Sequence, residues 1–240
     1  MDPILSLLIS VIGGVIVIFL TPAFSWLKKI FTNVFGNHKR NKQIEKFGIF
    51  SIEETREKAF KRILFDIKKS DKIDSLSFKG GLLFDGKYND QSRFHDLYTN
   101  SVRHPKRYRF LLLSSDSVES INIRNNDLKK YKISIEEHCN QINQCISYLE
   151  TKKNVSKTTE NTIEYRVFRE SLKWSLLISD KYILMNFYEK KTKGAKALCY
   201  IIKKESLFGN AIVQYYDDLW KRSETPQLSL DSLIDTTKNN

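Results

Sequence analysis

Lys173 to Phe187 reads KWSLLISDKYILMNF, with two apolar runs at 175–179 and 182–187 joined through Asp180-Lys181. Runs of this length, rich in Leu and Ile and separated by a two-residue polar turn, predict a β-hairpin. Working back along the chain, 163–168 predicts another strand, 151–161 (TKKNVSKTTEN) has loop composition, and a helical pattern runs from the Ser114-Ser115-Asp116 turn to about Leu149, with a break expected near 131–134. RYRFLLL at 107–113 is short and apolar enough for a central strand. A helix is expected at about 90–102, buried through Phe94, Leu97 and Tyr98, and KIDSLSF at 72–78 predicts a strand that stops at Gly80-Gly81. Ser51 with Glu54 three residues on matches a capping box, and Ala59, Phe60, Ile63, Leu64 and Ile67 follow at helical spacing. Downstream of the hairpin, 197–202 predicts a strand and 208–220 a closing helix, with Ile212, Tyr215, Tyr216, Leu219 and Trp220 as its apolar residues. This order predicts an α/β domain over residues 47–224, a mixed sheet flanked by helices.

Lys173, Ser175 and Asp180 fall at the first, third and eighth positions of an H-x-K-x-x-x-x-D spacing. In that spacing and context the hairpin resembles the one that carries the motif in the phospholipase D superfamily. The succession strand, helix, strand, helix, strand hairpin is similar to one half of such a protein. RYRFLLLSSDS resembles the strand and polar turn upstream of the motif in degenerate members, and the Asp218-Leu219-Trp220 helix resembles their closing helix. The resemblance implies a phospholipase D-like fold for 47–224, and it implies lost chemistry. Lys173 stands at the position of the nucleophilic His, Ser175 at that of the phosphate-binding Lys, and Phe187-Tyr188 replaces the Gly-Ser after the second strand. A protonated lysine has no lone pair with which to accept a phosphoryl group, so no catalytic residue is expected. His104-Pro105-Lys106 also spells H-x-K, but Leu111 stands where the Asp is needed, and the match is read as coincidence.

A site without its nucleophile can still bind. Ligands enter α/β sheets at strand ends, and glycine amides, small hydroxyls and a lysine can hold a phosphate. The candidate ligand-binding residues are Lys79, Gly80, Gly81, Ser115, Asp116, Arg124, Lys173 and Ser175. Each has a plainer reading: Gly80-Gly81 as a turn, the serines as helix caps, Arg124 as the partner of a surface acid. Asp180 reads as the residue that fixes the hairpin turn, and Trp174 and Trp220 as core.

Residues 3–27 (PILSLLISVIGGVIVIFLTPAFSWL) carry no charge over 25 positions. At 1.5 Å of rise per residue such a helix crosses a hydrocarbon core of roughly 30 Å, so residues 1–27 predict a transmembrane helix. Only Asp2 precedes the run, and the Thr21-Pro22-Ala23-Phe24 exit is a poor cleavage site, which favours an anchor over a signal peptide. Lys28, Lys29, Lys39, Arg40, Lys42 and Lys46 follow against the single acid Glu45, so the connector at 28–46 predicts a cytoplasmic domain behind an inner-membrane, single-pass span. Ser6, Ser10 and Gly14 recur every fourth residue and form the expected packing face for a homo-oligomer of spans. Residues 225–240 read as a polar tail.

The chain has a formal net charge of +12, spread along its length, which favours an anionic neighbour: the inner leaflet, a phosphorylated small molecule or nucleotide, or nucleic acid. Nucleic acid is the weaker expectation, because aromatics are not interleaved with cations along one face. Cys139, Cys145 and Cys199 make an odd count without a C-x-x-C pair, and His38, His95, His104 and His138 are scattered. Neither a disulfide framework, a metal site nor a cofactor is expected. The functional expectation is a membrane-anchored sensor or effector whose inactive phospholipase D-like domain binds a phosphorylated ligand or partner, an architecture resembling a bacterial antiphage-defence effector. The alternatives are a phosphodiesterase with a rearranged site and a membrane-tethered nucleic-acid binder.

Overall fold

The hairpin forms where it is expected, and the sheet grows outward from it. In the computed structural model residues 47–84, 86–99, 106–127, 133–156, 161–188 and 196–226 are described. The chain divides into two units, Met1–Gln43 and Ile44–Asn240, and every described residue belongs to the second. The elements are β1 (Ile49–Glu53), α1 (Arg56–Lys69), β2 (Lys72–Ser77), α2 (Gly81–Phe84), α3 (Arg93–Thr99), β3 (Arg107–Leu113) and α4 (Val118–Asp127). They continue as α5 (Ile135–Ser156), β4 (Thr162–Phe168), β5 (Trp174–Ile178), β6 (Tyr182–Phe187), β7 (Cys199–Lys203) and α6 (Leu207–Arg222).

Among the described residues all seven strands form one mixed sheet in the order β1-β7-β6-β5-β2-β3-β4. β2, β3 and β4 run parallel, and β5, β6, β7 and β1 continue the sheet in antiparallel steps. β3 lies between two parallel neighbours and is buried at every position but Arg107, which accounts for its unbroken apolar run. The expectation of an α/β domain with a mixed sheet and helices therefore holds. The expected span over 1–27, with Ser6, Ser10 and Gly14, and the connector at 28–46 lie outside the described residues, as does the tail beyond 226. Among the described residues no helix is long and apolar enough to cross a membrane.

Three boundaries differ from expectation. Ser51 and Glu54 do not open a helix, because Ile49–Glu53 pairs with β7, and a backbone ladder satisfies more donors than a cap does. The cap moves to Thr55, whose Oγ1 accepts from the Lys58 N–H at 3.2 Å. The helix expected from 90 starts later, as α3 behind Ser92, whose Oγ accepts from the His95 N–H, and residues 100–102 of that expectation lie outside the described residues. In the opposite sense α5 runs on to Ser156 through residues expected to form a loop, held against β4 by Leu149 and by the Tyr165 hydroxyl bonded to Glu150.

The register separates the two faces. On one, Ser75, Phe110 and Tyr165 align across the parallel strands, and Leu177, Leu184 and Ile201 across the others. The aromatics of α2, α3 and α5 pack here, with Phe84, Phe94 and Tyr148 in ring contact with one another and Phe84 and Phe94 meeting Phe110. On the other face α6 lies across the sheet. Asp74 receives two hydrogen bonds of 2.7 Å from Arg109, which also reaches Asp217 of α6, and the guanidinium sits 5.0 Å from the Tyr216 ring centre and 5.1 Å from that of Trp220. Opposite charge and flat aromatic surface thus compensate the desolvation of this arginine.

Candidate ligand-binding site

Strand direction fixes which loops meet. β2, β3 and β4 end at the edge where β5 begins and β6 ends, because Ser175 pairs with Asn186, and Leu76 with Leu176. That edge carries the Phe78-Lys79-Gly80-Gly81 turn, the Ser114-Ser115-Asp116-Ser117 turn, Lys173, and the first turns of α1, α4 and α5. The opposite edge carries the β5–β6 turn. There the Asp180 carboxylate accepts from the Asp71 N–H at 2.6 Å, and its own N–H donates to Ser70 Oγ, so Asp180 ties the hairpin to the start of β2. Lys106 of the coincidental H-x-K also lies at that edge, with its ammonium on the Lys68 carbonyl.

The eight residues expected to bind ligand all lie at or near the first edge. Ser175 is 5% exposed and donates to Asn186 Oδ1 at 2.6 Å. It lines a small cavity with Arg56, Ser75, Gly81, Leu82, Asn186 and Cys199, of about 10 Å³, room for about one water. Gly80 and Gly81 both have positive φ, 83° and 59°, and a Cβ on Gly80 would stand 2.4 Å from the Phe84 ring. The tight turn therefore needs both glycines. Lys79 bonds Gln141 of α5, and Arg124 is buried with its guanidinium 4.7 Å from the Tyr188 ring centre. The Tyr188 hydroxyl in turn accepts from the Phe78 N–H, which fastens this group to the end of β2.

Asp116 is exposed and accepts from Ser114 Oγ and from Arg169, contacts that hold its carboxyl below the usual range, so it secures the loop after β3. The Ser115 carbonyl receives the Cys139 thiol at 3.3 Å. Lys173 is exposed, and its carbonyl accepts from the Tyr188 N–H.

Three further residues of this edge join the site in the structure. Arg56, 8% exposed, comes from the first turn of α1 to the cavity wall, and nothing local marks it. Asn186 was within reach: a two-residue turn at Asp180-Lys181 sets Ser175 opposite Asn186 by counting alone. His138 lies in the first turn of α5, 1% exposed, with its ring 5.4 Å from that of Phe78. Burial, with Lys79 and Arg124 nearby, pushes the imidazole down to about 4.

The two edges differ in how their buried polar atoms are satisfied. At the hairpin-turn edge Ser70, Ser179, Lys106 and Asn161 all have partners. At the other edge Ser77 Oγ, Ser117 Oγ, Asn186 Nδ2 and both ring nitrogens of His138 have none among the described residues. Orphaned buried polar atoms are uncommon in folded proteins, and here several of them gather at one sheet edge. Cys145 and Cys199 are not part of it as reactive groups, because burial pushes the Cys199 thiol up to about 12 and raises that of Cys145 as well.

No protein family matches the chain, and no curated protein does. Among solved structures the chain is similar to that of TrmBL2, described as an archaeal chromatin protein with a novel mode of DNA binding. The identity is 10% and the TM-score 0.43, over 93% of this chain and 70% of that one. A likeness of this size carries no conclusion about fold or function.

Proposed function

We propose that the chain is a membrane-held binding module whose phospholipase D-like domain receives a phosphorylated small molecule or nucleotide at the edge where β2 and β3 end. The observation that carries this reading is the cluster of buried, unpartnered polar atoms at that edge, beside Lys79, Arg56 and Arg124. Hydroxyl, amide and imidazole groups next to cations suit the oxygens of a phosphate. Lack of a nucleophile supports binding without turnover. Lys173 is exposed, and Ser175 is closed on Asn186. In this reading residues 1–27 anchor the domain on the cytoplasmic side of the inner membrane, and ligand binding alters packing of the spans through Ser6, Ser10 and Gly14. A bacterial antiphage-defence effector is the setting that fits such a design.

The test is calorimetric titration of the full chain in detergent with inorganic phosphate and a panel of nucleotides. At least one should bind, with affinity reduced in Asn186→Leu, and none should be turned over. Turnover that vanishes in Lys173→Ala would replace this reading with a phosphodiesterase, and a panel without any binding would end it. Expression of the full chain together with its ligand should depolarise cells, and Gly14→Leu should abolish the effect; depolarisation unchanged by Gly14→Leu removes the span from the mechanism.

A further inference from the structure

We infer that His138, Lys79 and Arg124 form a phosphate-receiving subsite at the amino end of α5, in which the imidazole of His138 donates a hydrogen bond to the bound group. This rests on the reading that the edge takes a phosphorylated ligand, and it says where the charged group sits.

Three independent features meet there. His138 is fully buried, yet among the described residues neither ring nitrogen has a partner, which serves no structural purpose that a Leu or Phe would not serve better. Two cations lie close enough to oppose its protonation, Lys79 from the turn after β2 and Arg124 from α4. The third feature is the helix itself: α5 is 22 residues long, and its first-turn amides add positive potential around His138.

Among the described residues, the other charged or titratable groups of the elements packed here are exposed or engaged with partners of their own. Tyr188, beyond β6, lies under Arg124 and bonds the Phe78 amide. Cys139 gives its thiol to the Ser115 carbonyl. Glu136 and Glu137 of α5 are exposed, with Glu137 receiving Gln141 Nε2 at 3.3 Å. Asp116 is held by Ser114 and Arg169. Gln141, one turn along α5 from His138, holds the Lys79 ammonium, so the lysine and the imidazole are positioned by the same helix.

A neutral imidazole has one N–H donor, and Lys79 and Arg124 supply the countercharge for an anion. Burial is the larger cause of the neutrality of His138, and an anion placed among the three cancels the cationic field that adds to it. Binding should therefore raise the proton affinity of His138 and, in mildly acid solution, take up a proton. A histidine that merely fills space would give neither effect.

The experiment uses the full chain in detergent with nitrogen-15 histidine, titrated with acid by NMR with and without sulfate. Sulfate is a phosphate isostere whose charge is constant across the titration. The expected result is an upward move of the His138 midpoint by about one unit or more at saturating sulfate. Sulfate affinity should fall by roughly tenfold in Lys79→Gln and in Arg124→Gln. His138→Gln, which keeps a donor, should retain neutral-pH affinity and lose its increase toward acid pH, whereas His138→Phe should lose both. A His138 midpoint that sulfate does not move overturns the subsite. If nucleotides still bind and Asn186→Leu weakens them, the edge reading survives without the subsite; if neither sulfate nor any nucleotide binds, both fall.

Discussion

Ser175 donates its hydroxyl proton to Oδ1 of Asn186 at 2.6 Å across the β5–β6 pair, with both side chains almost fully buried. At the position where the phospholipase D resemblance leads one to expect a charged lysine, the hairpin carries a neutral pair. It is satisfied on the hydroxyl side and leaves Asn186 Nδ2 without a partner.

That pair makes a mutational cycle informative. Asn186→Ala strands the buried Ser175 hydroxyl and should cost about 1–3 kcal/mol of stability in urea unfolding. Adding Ser175→Ala should recover part of the loss, because no polar group is then left unpaired. Equal stability of the single and double variants would show that the hydrogen bond carries little weight.

The Asp74–Arg109 pair tells the same story with charge. Both side chains are buried, so Asp74→Asn or Arg109→Met should each destabilise by about 3–5 kcal/mol, and a double replacement by apolar residues of similar volume should cost markedly less. Asp217 is more exposed than its partner, and Asp217→Asn should cost no more than about 1 kcal/mol. Denaturant midpoints for the four variants check the order.

Stability should fall in acid through His138. Its folded value is pushed down to about 4, below the roughly 6.5 of an unfolded histidine, so the unfolded chain binds more protons between these limits. The contribution is complete above about pH 6.5, is lost as pH falls toward 4, and amounts to on the order of 3 kcal/mol. Urea unfolding across that window should show the loss, and His138→Phe should flatten it. An unchanged pH slope in the variant would place the titration elsewhere.

Glycine substitutions should rank by what a Cβ meets. Gly80→Ala combines positive φ with a 2.4 Å approach to Phe84 and a 2.9 Å approach to Cys145 Sγ, whereas Gly86→Ala has positive φ and open space. Gly86→Ala should cost about 1 kcal/mol and Gly80→Ala clearly more. Thermal unfolding of the two variants separates them, and equal losses would mean that the turn after β2 is not packed as described.

Much of the architecture was legible because the signals were local. A two-residue polar turn between Leu- and Ile-rich runs specifies a hairpin wherever it sits, and α1 and α6 carry apolar residues at a spacing no strand would use. Where a local signal competed with a long-range one, the long-range one won. Ser51-x-x-Glu54 is a sound capping box, but pairing with β7, almost 150 residues later, claimed its backbone. The loop-like composition of 151–156 gave way to packing of α5 on β4 in the same manner.

The candidate site divides along the same line. Residue types and spacing in the chain alone were enough to place Lys79, Gly80, Gly81, Ser115, Asp116, Lys173 and Ser175 near strand ends, since strands and turns are dictated by short stretches of backbone preference. Which of them face a cavity, which are spent on holding a loop, and which distant residues join them depended on the strand order β1-β7-β6-β5-β2-β3-β4. That order brings Arg56, Asn186 and the edge of β2 into one cavity and the start of α5 against Phe78. His138 is ordinary as a letter in the chain. Burial against Phe78, two neighbouring cations and the want of a hydrogen-bond partner make it distinctive, and all three arise only when elements far apart in sequence pack together.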